Sequence, residues 1–75
     1  MDKLIQLLKS IDITINWEEE KKLIDDRILD SLTLIILINE FETVFNVQIN
    51  ATEIIPENFN SAEAMWRMLT RLQEK

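Results

Sequence analysis

The chain reads as an all-α domain with three main helices, one short helix and a long ordered loop between the first two. Three observations carry that reading. Apolar residues recur at three- and four-residue steps in three separate stretches. Alternation of polar with β-branched residues is confined to two short segments, Asp12 to Trp17 and Asn46 to Asn50. The 75 residues leave room for a single core, so the whole of 1–75 is expected to be one domain.

Each element follows from local pattern. Leu4, Leu7, Leu8 and Ile11 with Lys3, Gln6, Lys9 and Ser10 between them predict an amphipathic helix over about residues 2–11. The alternating stretch to Trp17 disfavours more helix, and the charged run Glu18 to Lys22 follows it. Glu-to-Lys pairing allows one further turn there, but the run reads better as part of a connection reaching Leu29. So long a connection needs anchoring, and Leu23, Ile24, Ile28 and Leu29 are the expected anchors. Asp30 or Ser31 caps a second helix that runs to about Phe45. With Ser31 at zero on a helical wheel, Leu34, Leu37, Ile38, Phe41, Val44 and Phe45 fall within about 220° to 340° and face the core. Leu32, Ile35 and Ile36 lie outside that stripe, at about 40° to 140°.

Beyond the second helix, Val47 and Ile49 are expected to turn inward from an extended link. Ala51 to Phe59 holds Pro56, which suits a first helical turn, so one or two short turns are expected there. Asn60 followed by Glu63 resembles a capping box, and Ala62, Met65, Trp66, Leu69 and Leu72 then predict a last helix over about residues 61–73. Arg67, Arg71 and Lys75, in or beyond its second half, complement the helix dipole.

Composition narrows the function. Apolar residues are 47% and charged residues 29% of the chain, which describes a soluble globule and not a disordered tail. The chain has no Cys and no His, which removes thiolate nucleophiles, imidazole bases and the usual zinc ligand sets; an enzyme is not expected. Fourteen acids against eight bases give a net charge of −6, which repels phosphate backbones, so nucleic acid is not an expected partner. The longest apolar run, Leu34 to Ile38, is far short of the roughly 20 residues that span a bilayer. The opening residues have no secretory pattern, and a cytoplasmic monomer is expected. Glu18, Glu19, Glu20, Asp25 and Asp26 lack the spacing of a calcium loop and read as a solvated acidic face.

One hydroxyl stands out. Ser31 sits where the long loop meets the second helix, flanked by Asp30 and Leu32. Asp30-Ser31-Leu32, approached by Leu23 to Leu29, followed by an apolar helix ending in Phe45-Asn46-Val47, and then by Ile55 to Ser61, resembles the acyl carrier and peptidyl carrier protein family over nearly the whole chain. The resemblance implies a four-helix bundle of the acyl-carrier type. It implies that a phosphopantetheinyl transferase attaches 4′-phosphopantetheine from coenzyme A to Ser31, making a phosphoprotein. It further implies that the arm bears an acyl or aminoacyl thioester, loaded by one enzyme and passed to a downstream synthase or transferase. A specialised pathway of polyketide, nonribosomal-peptide or D-alanyl type fits better than housekeeping fatty-acid synthesis. A helix N-terminus tolerates a phosphodiester. Asp30 cannot attract that phosphate, being of the same charge, so its roles are capping or contact with the transferase or its metal.

The chain departs from the family pattern in two ways. Glycine is common two or three residues before the Asp-Ser pair, where Ile28 and Arg27 stand here, so this turn must avoid positive φ or bear strain at Arg27. The second helix is poor in acids; Thr33 and Ile36 take positions that are often acidic, leaving Glu40 and Glu42. Docking on partner enzymes is therefore assigned to Leu32, Ile36 and Glu40, with apolar contact dominant, while Ile35 is expected to pack on the short third helix. Ile54, Ile55, Phe59, Met65, Trp66 and Met68 are candidates for a cargo pocket, for which ordinary packing is the simpler account. The competing function is an unmodified helical adaptor that binds or dimerises through Leu32, Ile35 and Ile36.

Overall fold

In a computed structural model, which describes residues 1–74, the helices are α1 (Asp2–Ile11), α2 (Ser31–Val44), α3 (Pro56–Phe59) and α4 (Ala62–Gln73), with a 3-10 turn at Ala51–Glu53. No strand occurs among the described residues, and the all-helical expectation holds. Lys75, assigned to the dipole of the last helix, lies outside the described residues. None of the described helices is long and apolar enough to cross a membrane.

α1 buries Leu4 and Leu8 and half-buries Leu7 and Ile11, as the spacing requires. It packs on α4, and so does α3. The loop after α1 is anchored by a residue whose alternating surroundings gave no hint of it. Trp17 is 1% exposed, and its indole Nε1 donates to the Asp12 carbonyl at 2.8 Å, satisfying the one polar atom of a large buried ring. Leu23 and Leu29 are buried as expected and Ile24 is half-buried, but Ile28 is 37% exposed.

The reason lies in the backbone from Leu23 to Ile28. The Ile28 amide donates to the Leu23 carbonyl at 2.9 Å and the Arg27 amide to that of Ile24 at 3.0 Å, the bond pair of a Schellman turn with Arg27 at its left-handed position. Arg27 has φ 58°, so the chain bears the strain instead of avoiding it, at a cost of about 1 kcal/mol. Ile28, the residue just past the reversal, is left at the surface. The charged run ahead of this turn forms no helix; Lys9 pairs with Glu18 at 3.1 Å and Lys21 with Glu63 at 2.7 Å.

α2 sends Leu37 and Phe41, and Phe45 just beyond its end, into the core. Phe41 stacks on Phe59 of α3 with centroids 6.5 Å apart, and Phe45 meets Trp66 of α4 edge-on at 6.3 Å. The helix is closed by Asn46 at φ 54°, a residue that takes the left-handed region readily. Ile49 is buried and Val47 half-buried, and the Ile49 amide donates to Glu42 Oε2 at 2.9 Å. Pro56 opens α3 at a position where its missing N–H costs nothing. Arg71 forks onto both carboxylate oxygens of Glu53, at 2.6 and 3.0 Å, tying α4 to the 3-10 turn.

The expected capping box at Asn60 is not what starts α4. Ser61 is the N-cap: its Oγ accepts from the Ala64 amide at 3.0 Å, while Glu63 pairs with Lys21. Ser61 is the stronger cap because the helix begins one residue later than the box requires, and this frees Asn60 for a different set of bonds.

Candidate functional site

The candidate site is the start of α2. Asp30 is its N-cap, with φ −90° and ψ 175°, and Oδ1 accepts from the Thr33 amide at 2.8 Å. That hydrogen bond is the leading cause that holds the Asp30 carboxyl below its ordinary value of 3.8. Sequence left the cap open between Asp30 and Ser31, and the structure gives it to Asp30. Ser31 is the first helical residue and is exposed, so capping does not occupy its hydroxyl. No acidic residue follows in the first turn of the helix. An anionic ester on Ser31 would meet the positive end of a 14-residue helix, opposed by the neighbouring Asp30. The exposure of Ser31 leaves room for such a group.

Around Ser31 the surface is oily. Leu32 is 68% exposed, Ile35 56% and Ile36 41%, and Glu40 is exposed two turns along the same face. The wheel separates the faces correctly, for every residue placed between about 40° and 180° is exposed. Ile35, expected to pack on α3, is 56% exposed; at about 40° it lies well round the helix from Phe41, which makes the contact with Phe59. The structure thus keeps Leu32, Ile36 and Glu40 together on one open face, with Ser31 exposed at the start of the same helix.

A small apolar cavity of about 60 Å³ lies beside α2, lined by Ile24, Leu34, Ile54, Ile55, Pro56 and Phe59. Of the six residues named as pocket candidates, Ile54, Ile55 and Phe59 line it. Met65 and Met68 are fully packed in the core instead, and Trp66 lies against Phe45. The space is well under the ~150 Å³ that admits a benzene-sized guest. Sequence reasoning missed Asn60. Its Oδ1 accepts from the amides of Ile24 and Asp25, and its Nδ2 donates to Asp25 Oδ2, across 35 and 36 residues of chain. The signal was present in outline, since an Asn beside a better cap is free to bond elsewhere.

Compared with protein-family models, curated proteins and solved structures, the chain finds no match.

Proposed function

We propose that the protein is a carrier of the acyl-carrier type, bearing 4′-phosphopantetheine on Ser31. It is not itself an enzyme. When attached, the arm supplies a terminal thiol that holds an acyl or aminoacyl group as a thioester, and tethering raises the local concentration of that group at partner enzymes. The observation that carries the reading is the division of labour at the head of α2: Asp30 caps the helix and Ser31, beside it, is exposed. The loop-to-helix junction, the Schellman turn before it and the open face of Leu32, Ile36 and Glu40 support the same reading, as the surface that a transferase, a loading enzyme and a downstream synthase or transferase would share. Incubation with coenzyme A and a broad-specificity phosphopantetheinyl transferase, followed by intact mass, tests it. Wild type is expected to gain one arm and Ser31→Ala none.

The exposed isoleucines and leucine also favour an adaptor that binds another protein without modification. Wild type that stays unmodified with several transferases would leave that function in possession of the site.

A further inference from the structure

The approach to Ser31 is held by a residue far away in sequence. Between Leu23 and Leu29 the chain makes one turn, and its end is closed by the Leu23 carbonyl, which accepts from the amides of Ile28 and Leu29 at 2.9 and 3.0 Å. Its beginning is closed by Asn60. The Asn60 carbonyl accepts from the Leu23 amide at 2.9 Å, and its side-chain Oδ1 accepts from the amides of Ile24 at 2.9 Å and Asp25 at 3.1 Å. Three successive amides that a free turn would leave to water are thereby satisfied from the α3–α4 junction. The Asn60 Nδ2 then donates to Asp25 Oδ2 at 3.1 Å. A carboxamide does both, accepting from two backbone amides through its oxygen and donating to a carboxylate through its nitrogen.

We propose that Asn60 is a positioning residue for Ser31. It holds residues 23–29 in one arrangement, so that an enzyme modifying Ser31 meets a preformed surface and does not have to order the loop on binding. The inference rests on the carrier reading and names the residue that serves it. An aspartate in place of Asn60 has the oxygens to accept the two amides, but the second negative charge it sets against Asp25 pushes the two side chains apart and breaks those bonds. Adding Asp25→Asn exchanges donor and acceptor across the same contact and restores it.

The test measures transfer from coenzyme A to Ser31 by a broad-specificity phosphopantetheinyl transferase, with hydrogen exchange of the Ile24 and Asp25 amides in parallel. Asn60→Asp is expected to raise the transferase KM for the protein about 5-fold or more with kcat within about 2-fold, and to lose protection at both amides. The double variant Asn60→Asp/Asp25→Asn is expected to recover both. An unchanged KM in folded Asn60→Asp overturns the proposal, as does a raised KM that persists in the double variant once amide protection has returned. If Asn60→Asp does not fold, Asp25→Ala, which removes only the Nδ2 bond, is expected to raise KM about 2-fold, and equality with wild type overturns the proposal. Wild type that accepts no arm defeats the carrier reading itself, a different result from a wild type and an Asn60→Asp variant that are modified equally well.

Discussion

α2 and α4 begin with the same local grammar and end up in opposite surroundings. Each is capped by a short oxygen-bearing side chain that accepts from the amide three residues on, Asp30 from Thr33 and Ser61 from Ala64. At α4 the serine is itself the cap, it is 8% exposed, and Ala62, Ala64 and Met65 behind it are buried. At α2 the aspartate takes that task, and the serine beside it is exposed and followed by a leucine in solvent. A serine at a helix start is therefore structural in one place and disposable to the fold in the other. What separates them is the neighbouring residue that takes the cap and the side of the helix that the core occupies.

The largest expected contrast concerns the residues just inside each helix. Met65→Ala should lower unfolding stability in urea by about 3 kcal/mol, whereas Leu32→Ala should change it by less than about 0.5 kcal/mol. A comparable loss at Leu32 would mean that the open face of α2 is core. The two serines come next. Ser61→Ala removes a cap and leaves the Ala64 amide buried without its partner, so a loss of about 1.5 kcal/mol is expected, against less than about 0.5 kcal/mol for Ser31→Ala. The smallest contrast is in pH. The folded Asp30 carboxyl titrates below its unfolded value of 3.8, so the stability it contributes is fully present above that value and is lost as pH falls through the lower folded one. The advantage of wild type over Asp30→Asn in thermal melts should accordingly hold down to about pH 4 and shrink below it. Glu63, lowered from 4.5 by its hydrogen bond and charge contact with Lys21, has the same sign in α4. Its exposed ion pair is expected to fade in high salt while the Asp30 cap does not.

Most of the fold was legible because periodicity reports burial directly. α1 has the expected bounds, the wheel of α2 divides its faces correctly, and Pro56 starts the short helix where a missing N–H is harmless. What could not be read is what depends on distant chain. Trp17 is buried in the core cluster with residues far along the chain, and nothing within a few residues records that. Ile28 and Ile35 look as apolar as Leu29 and Leu37, yet a left-handed Arg27 and a place on the far side of the helix from Leu37 leave them exposed. At the site, Ser31 was visible by its position and Asp30 by its type. Asn60 was hidden, because its bonds reach back 35 and 36 residues to amides that no sequence window joins to it.

Trp17 has a practical consequence. The chain holds two tryptophans and no tyrosine, and Trp66 sits half-buried beside Phe45 while Trp17 is fully buried. With Trp66 replaced by phenylalanine, all emission excited beyond the absorption band of phenylalanine would come from one indole seated in the segment that leads to α2. The protein therefore carries its own optical gauge of that segment, and loosening there can be followed in real time without a dye or label.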